Sequence, residues 1–513
     1  MCIDRKYIYL STFVYLTVPL CLFLLLWLRV YYGGFFAAVL LFCTYKVFGH
    51  IKKKIAASSL YIGRYHIFSL LLILWFLFST GHGGFIGANG VDTPWRDAIY
   101  HDLVTYPWPV IYRYSDTMLA YYLAYWLPAA GISWLCGLGI WGSHVILFIW
   151  TYLGLGLIFL LLCEYLQPSR KQVLLVCMIF LLWSGLNLFG MLLRSLFSAE
   201  AFRIDDNPGF LSWLYSAHSY DGYFIGYFLR TTFDSVANVY NQYIPVALVT
   251  LLFLQLRHMY GIYAFLGLLA LPYSPLGFTG VALLMLGYGV NQIIHDIRQK
   301  QSLVWQHVRA YVSLENLLPS VIILPIFYFY FMMNSMSQRA VDTGIWAAPL
   351  PAYGLFRIGN LLLFYVLAFG IYLFLLHKKH KSDFLYRWVG GVLLLLPFFR
   401  IGMTGDFLWN ASMAPYIVIM TLVMKQVLSA WDRKCFWGRD LILVMCLVVS
   451  AITPLMQMTT SLRACILQKK LSVYIDEPGI NGTFADKKID NLQNFLAKDY
   501  QNSIFYRYLS RRQ

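Results

Sequence analysis

The stretch from Ile86 to Ala130 concentrates side chains that can do acid–base chemistry: Asp92, Arg96, Asp97, His101 and Asp102. Only 12% of the chain is charged, so this density of carboxylates is unusual. A carboxylate can take the proton of a reacting hydroxyl group, and we select Asp92 as the first candidate for such a base and Asp97 as the second. The three aspartates follow one another at intervals of five residues, a step that rotates by about 140° on a regular helix. We therefore interpret the stretch as a loop with short helices that gathers its acids around a cavity.

Polar side chains of similar kinds lie near the ends of apolar segments later in the chain. Together with Arg96, His101 and Asp102, we select the following as candidate substrate contacts: Arg230, Asn238, Asn241, Gln242, Arg400 and Asp406. Carboxylates and amides hydrogen-bond to hydroxyl groups, and the planar guanidinium of arginine binds phosphate through parallel hydrogen bonds. Ionisable groups at a membrane are costly and by default mark function. The inventory therefore predicts a site for sugar and phosphate.

The composition indicates a membrane protein. The chain has 513 residues, 60% of them hydrophobic, and contains many apolar runs near the length of ~20 residues that spans a bilayer. We predict an all-α polytopic membrane protein with about thirteen transmembrane helices and with interfacial helices in the first large outer loop. Residues 1–458 would form the membrane domain, with outer loops at 86–142 and 191–232, and residues 459–513 a polar tail. The predicted spans are 8–31, 34–49, 66–85, 143–164, 172–190, 233–255, 259–272, 276–292, 310–333, 356–376, 387–402, 413–428 and 440–458.

The net charge of +16 comes from basic residues in short loops between apolar runs, which argues against nucleic acid as a partner. With a cytoplasmic N-terminus these loops, among them HKKHK at 377–381, fall on the inner side, as the positive-inside rule requires. A crossing at 117–137 would invert the later loops, so we predict that this segment does not cross. The same alternation places the turn Pro272–Pro275 and the tail after residue 458 on the outer side. The alternative for the turn is that 259–272 and 276–292 form a broken or re-entrant pair.

In its architecture the chain resembles the GT-C superfamily of polytopic glycosyltransferases, which use polyprenyl-phosphate-linked sugars. Short pieces of it also resemble a set of bacterial polytopic proteins usually placed near that superfamily. The pieces are VDTPWRDAIYHDL, YPWPVIY, YSPLGFTGVALL and GDFLWNASMAP. Enzymes of that superfamily carry an essential acid in the first large outer loop, and Asp92, seven residues after Phe85, occupies the matching position. The chain length, the large early loop and the outer tail are similar to the serotype-converting O-antigen glucosyltransferases. The acid-rich loop follows the third predicted span here rather than the first.

The resemblance implies transfer of a sugar, such as glucose, from a polyprenyl-phosphate donor to a lipid-linked or cell-surface glycan such as O-antigen. The site would face the periplasm from the bacterial cytoplasmic membrane, with membrane lipid as a further partner. We expect no cofactor and no metal, because the outer loops contain no HxH or DxD pattern. One alternative is an O-antigen polymerase or ligase, which typically places its large loop later in the chain. The other is a lipid-linked-sugar transporter or flippase, whose ionisable groups would lie near the bilayer midplane.

Overall fold

The computed structural model describes residues 2–54, 59–88, 90, 92–197, 227–299, 304–334, 341–343, 354–401, 405–434, 436–473, 479–485 and 494–512. Within these ranges, nine helices are long and apolar enough to cross a membrane. Short strands of two or three residues connect some of the loops. The fold is therefore that of an all-α, multi-pass membrane protein, which confirms the class predicted from composition.

Several helices begin at a short polar side chain that accepts a hydrogen bond from the first turn, namely Asp4 for the first helix, Thr231 for the ninth and Ser274 for the eleventh. The helices are α1 (Arg5–Trp27), α2 (Val30–Lys54), α3 (Arg64–Ser79), α4 (Thr93–Thr105), α5 (Leu127–Leu135), α6 (Ile140–Leu166), α7 (Gln172–Leu181), α8 (Asn187–Phe197), α9 (Thr232–Leu256), α10 (Tyr263–Leu268), α11 (Pro275–Arg298), α12 (Val304–Tyr311), α13 (Leu314–Met332), α14 (Gly354–Tyr365), α15 (Ile371–His380), α16 (Phe384–Leu395), α17 (Asp406–Ala411), α18 (Met413–Asp432) and α19 (Arg439–Leu467). The strands are β1 (Cys2–Asp4), β2 (Ser59–Tyr61), β3 (Gly87–Ala88), β4 (Ile111–Tyr112), β5 (Thr117–Leu119), β6 (Val341–Thr343), β7 (Phe399–Ile401), β8 (Ser472–Val473) and β9 (Leu496–Ala497).

The predicted spans and the observed helices agree for the longest segments. Nine predicted spans coincide with apolar helical segments of 20 to 29 residues: α1, α2, α6, α9, α11, Val308–Met332, Ile358–His380, α18 and α19. The other four, at 66–85, 172–190, 259–272 and 387–402, contain only the shorter helices α3, α7, α10 and α16. For these four segments a complete crossing stays a prediction.

The span predicted over 172–190 is interrupted between α7 and α8. There the Leu186 N–H donates to the Leu367 carbonyl at 2.9 Å. Leu367 belongs to a π-helical turn, Val366–Gly370, that joins α14 to α15. A Cβ on Gly185 would stand 3.0 Å from the Cα of Ala368, so the two backbones are in close contact. Contact between two irregular segments therefore breaks the helix that hydropathy alone predicts.

One end of the bundle collects the basic loops, and we call it the basic face. Strand β1 pairs antiparallel with β2 beside the start of α1 and the end of α2. Arg5 in α1 contacts Glu164 near the end of α6 at 2.7 Å. Lys379 of the HKKHK run lies 3.6 Å from Asp440 at the start of α19. The structure thus brings together segments that the charge pattern assigns to one side of the membrane.

The opposite end carries the loop 86–142 together with the C-terminal segment, and we call it the loop face. Strand β3 pairs in parallel with β8, and β5 pairs antiparallel with both β4 and β9. The Arg29 N–H, just after α1, donates to the Leu509 carbonyl at 2.9 Å. The segment after α19, a helix that continues to Leu467, therefore packs on the acid-rich loop. Between β5 and α6 the chain forms only short helices, the longest being the nine-residue α5.

The turn Pro272–Pro275 lies inside the bundle, which favours the broken or re-entrant pair over the predicted outer turn. The Tyr273 hydroxyl donates to the Leu16 carbonyl at 2.5 Å, and the Ser274 hydroxyl donates to Oε1 of Gln242 at 2.9 Å. Leu16 and Gln242 lie near the middle of α1 and of α9. Because α10 has only six residues, the chain rises from the basic face to mid-bundle and returns along α11.

Candidate functional site on the loop face

Asp92 occupies the N-cap position of α4, yet its side chain makes no capping hydrogen bond. Its backbone N–H donates instead to Oδ1 of Asn238 at 3.0 Å. Gly90 lies so close to the same amide that a Cβ there would stand 2.2 Å from Asn238 Oδ1, which explains glycine at that position. The Asn238 side chain of α9 thus fixes the loop before α4. The Asp92 side chain itself remains 36% exposed. Helix capping, the common structural role of a loop aspartate, does not account for it.

Arg96 lies one turn further along α4 and is almost fully buried. Its Nε donates to the Asn238 carbonyl at 3.3 Å, and its Nη1 donates to the Tyr121 hydroxyl at 2.6 Å. Its Nη2 lies 3.7 Å from Oδ2 of Asp92. The helix α9 departs from helical dihedrals at Val239 (φ −135°, ψ 34°), directly after the carbonyl that Arg96 contacts. A fixed guanidinium therefore stands beside a half-exposed carboxylate.

A second arginine lies at the start of α9. Arg230 pairs with Asp234, and its guanidinium lies 5.3 Å from the Trp409 ring. Asp234 Oδ1 also accepts a 2.6 Å hydrogen bond from Asn238 Nδ2, which links this pair to the loop before α4. We call the connected set the loop-face site: Asp92, Arg96, Tyr121, Tyr122, Arg230, Asp234, Asn238, Asp406 and Trp409.

Two tyrosines that the sequence analysis did not select belong to the site. The rings of Tyr121 and Tyr122 have centroids 3.7 Å apart. Burial raises the pKa of Tyr122 to about 12; within that value the charge of Arg96 acts to lower it and the charges of Asp406 and Asp92 act to raise it. Asp406, in α17, therefore acts on the same tyrosine as Asp92. The only sequence signal was a tyrosine pair close to the acid-rich segment, which is weak in a chain with 39 tyrosines.

Asp97 points into the protein and not into the loop-face site. It is 2% exposed, and its Oδ2 has no hydrogen-bond partner among the described residues. Burial raises the pKa of this carboxyl to about 8, and the carboxyl interacts electrostatically with Tyr240 in α9. A buried, largely neutral carboxyl at neutral pH is a poor base for an external hydroxyl. Asp97 therefore lies away from the surface where an acceptor would bind, and Asp92 remains the candidate base.

Asp102 and its neighbour His101 hold the C-terminal segment. The Asp102 carboxylate, fully buried, accepts hydrogen bonds from the Tyr112 hydroxyl at 2.6 Å and from the Phe484 N–H at 2.9 Å, and it lies 3.0 Å from His101 Nδ1. This network gives both residues an architectural role in place of the predicted substrate contact. The three aspartates at five-residue intervals thus face three different surroundings, and the predicted shared cavity is not formed.

The remaining candidates are dispersed. Gln242 is bonded to Ser274 inside the bundle, and Asn241 is fully buried with no partner for either amide atom among the described residues. Of the three candidate amides in α9, Asn238 is the one bonded to the loop before α4. Arg400 is half-buried in β7, opposite Asp342 of β6. Most of the predicted outer loop 191–232, from 198 to 226, lies outside the described residues.

In the part of the chain that the structure describes, no group of three or more His, Cys, Asp or Glu side chains is arranged to hold a metal. Comparison of the chain with protein-family models, with curated proteins and with solved structures gives no match. The class defined by the fold is thus a multi-pass, all-α membrane protein. The resemblance to the GT-C superfamily rests on the quoted residues and stays a prediction.

Proposed function

We propose that the chain is a membrane glycosyltransferase that moves a sugar from a polyprenyl-phosphate donor to a glycan acceptor such as O-antigen. The observation that carries the proposal is the setting of Asp92. Its carboxylate is half-exposed, makes no capping bond and lies 3.7 Å from the buried Arg96. A base and a fixed cation at one location are what transfer from a phosphate leaving group requires.

In the proposed step, Asp92 takes the proton of an acceptor hydroxyl while the hydroxyl oxygen attacks the anomeric carbon. The bond between that carbon and the phosphate oxygen breaks, and the lipid phosphate leaves with the electron pair. Arg96 and Arg230 would stabilise the charge that develops on the phosphate. Trp409 and Tyr122 offer aromatic faces beside these groups, suited to the apolar face of a sugar ring. Asp406 would hold hydroxyl groups of donor or acceptor.

The decisive experiment uses membranes that contain the full chain and a panel of radiolabelled polyprenyl-phosphate sugars. Wild-type protein should move label from the lipid phase into a polar or lipid-linked glycan product, and Asp92→Asn should not. The matched control is Asp116→Asn, in the same loop, whose carboxylate accepts from exposed Gln501 at 2.9 Å and interacts with Tyr500, away from the loop-face site. Equal transfer by Asp92→Asn and wild type would remove Asp92 from the mechanism.

The periplasmic orientation is part of the proposal and has its own test. Tyr114 is fully exposed on the loop face, and Ser382 is exposed on the basic face. Each is replaced by cysteine in a chain whose exposed Cys2 and Cys136 are changed to serine. An impermeant maleimide should label position 114 in spheroplasts and position 382 only after lysis. The reverse pattern would put the loop face in the cytoplasm.

A lipid-linked-sugar transporter or flippase is the second candidate, and the turn Pro272–Pro275 favours it. Helix α11 begins near the middle of the bundle, and discontinuous helices of this kind form substrate sites in transporters. A flippase would move the labelled lipid between leaflets and leave its glycosyl bond intact. Chromatography of the lipid after the assay therefore separates the two proposals. An O-antigen polymerase or ligase would transfer a preassembled lipid-linked glycan and would not use single-sugar donors.

A further inference from the structure

A lateral groove of about 510 Å³ opens among α10, α11, α12 and α13. Along α11 it runs from Phe278 to Ile293, a distance of about 22 Å at 1.5 Å per residue. Since α11 ends on the basic face, the Ile293 end of the groove lies towards that face. Half of a hydrocarbon core is ~15 Å thick, so the groove is long enough for a lipid chain of one leaflet.

The walls of the groove are apolar over most of its length, with Leu268, Met285, Leu286 and Leu324 among the lining residues. The exception is at the end near the basic face, where Tyr311 lines the groove. Its hydroxyl is buried and has no hydrogen-bond partner among the described residues. A buried donor left unsatisfied destabilises the folded protein. An occupant that carries an acceptor oxygen at this end would remove that destabilisation.

Asn316 does not supply the missing acceptor, because its amide group is used elsewhere. Its Oδ1 accepts from the Ala264 N–H at 2.9 Å, and its Nδ2 donates to the carbonyls of Tyr260 at 2.9 Å and Tyr311 at 3.1 Å. These bonds join α10 to the start of α13 and shape the floor of the groove. The Tyr311 hydroxyl is thus the polar group that remains for a ligand.

The surface around this end is basic. Arg309, two residues before Tyr311, and Arg298, at the end of α11, are both exposed and form no ion pair among the described residues. The nearby acids are engaged: Glu315 lies 3.4 Å from His50, and buried Asp296 lies 3.8 Å from His295. The exposed Trp305 has the residue type that anchors helices at the membrane surface. Cationic side chains therefore remain for an anionic headgroup.

We propose that this groove binds one phospholipid of the leaflet next to the basic face. Its acyl chain would lie along Leu324 and Phe278, an ester or phosphate oxygen would accept from the Tyr311 hydroxyl, and its phosphate would lie beside Arg309. This site is separate from the loop-face site and does not depend on the glycosyltransferase proposal. Only lipid binding, not sugar transfer, tests it.

The test uses purified full-length chain in nanodiscs that contain phosphatidylglycerol with a photoactivatable group in one acyl chain. After irradiation, peptide mass spectrometry should find adducts concentrated on α11 and α13. Ala282→Trp places an indole in the groove and should abolish these adducts. The matched control is Ala38→Trp on the exposed, lipid-facing side of α2, which should leave them unchanged. Adducts spread over all exposed helices in proportion to surface, or unaffected by Ala282→Trp, would overturn the proposal.

The polar end is tested by Tyr311→Phe, which removes one oxygen and keeps the ring. Labelling of the groove should fall roughly fivefold, the effect expected for one lost hydrogen bond. Tyr328→Phe, on the same segment but 60% exposed to lipid, is the control and should label as wild type does. This pair keeps the proposal testable if the indole at position 282 prevents folding. Displacement of the probe by polyprenyl phosphate but not by excess phosphatidylglycerol would assign the groove to another lipid and reject the phospholipid.

Discussion

The two ends of α4 carry the same type of side chain in opposite settings. Asp92, just before the helix, is 36% exposed, and its nearest cation is 3.7 Å away. Asp102, ten residues later, is fully buried and holds Tyr112, Phe484 and His101 around its carboxylate. A carboxylate whose bonding capacity is filled inside the protein stabilises structure, whereas one with capacity left at a surface can meet a substrate. The comparison shows that partners, rather than residue type, separate the reactive acid from the structural one.

The largest effect is expected at the reactive end. Asp92→Asn keeps the size of the side chain but cannot accept a proton at neutral pH, so transfer should slow by about 10²–10⁴-fold. The loss should appear in kcat more than in KM, because the acceptor still binds through its other hydroxyls. Expression should be normal, since the carboxylate caps no helix. The measurement is the rate of sugar transfer by Asp92→Asn and by the control Asp116→Asn. Equal rates would show that Asp92 is not the base.

At the structural end, Asp102→Ala should detach the C-terminal segment. The variant loses acceptors for Tyr112, Phe484 and His101, and one hydrogen bond to a charged group is worth ~1.5–3 kcal/mol. Limited proteolysis should cut between residues 468 and 512 faster than in wild type, with a lower Tm. Asp499→Asn, an exposed aspartate in the same segment, is the control. A wild-type cleavage pattern in Asp102→Ala would show that the network does not hold the segment.

Variants of Arg230 test whether the cations of the loop-face site bind the donor phosphate. Arg230→Ala should raise KM for the donor by roughly 10–100-fold if it binds phosphate, from the ~1.5–3 kcal/mol of a charged hydrogen bond. Arg230→Lys should lie between, because lysine keeps the charge and loses the planar fork. Arg400→Ala, measured in parallel, tests the other arginine selected from sequence. The control is Arg113→Ala, at an exposed arginine of the same loop. An equal KM for the donor in all variants would mean that Arg230 and Arg400 contact lipid headgroups and not the donor phosphate.

The smallest effect on sugar transfer is expected at Asp97, between the two ends. Burial raises its pKa from 3.8 to about 8, so the folded state keeps a proton that the unfolded state loses between those values. Wild-type stability should therefore fall as pH rises from about 4 to 8 and level off above, by proton linkage. Asp97→Asn cannot ionise and should lose less Tm between pH 5 and pH 9, with transfer activity close to wild type. Parallel Tm curves would mean that Asp97 is ionised in the folded protein.

Composition and local residue spacing are enough to predict the class of the protein and to locate its unusual acids. Apolar runs near 20 residues predict membrane helices because helical rise and bilayer thickness are fixed. The five-residue spacing also excluded a shared helix face for Asp92, Asp97 and Asp102. Both inferences use local geometry, which is why they survive in the structure.

Which acid remains available to a substrate, and how deep each turn lies in the bundle, depends on the packing of distant segments. The side chain of Asn238, 146 residues away in sequence, accepts a hydrogen bond from the Asp92 N–H, and the N–H of Phe484, 382 residues away, donates to the Asp102 carboxylate. The depth of Pro272–Pro275 likewise follows from bonds to α1 and α9, not from hydropathy. Hydrogen-bond partners so distant in sequence are set by how the helices pack, and a local pattern contains no information about them.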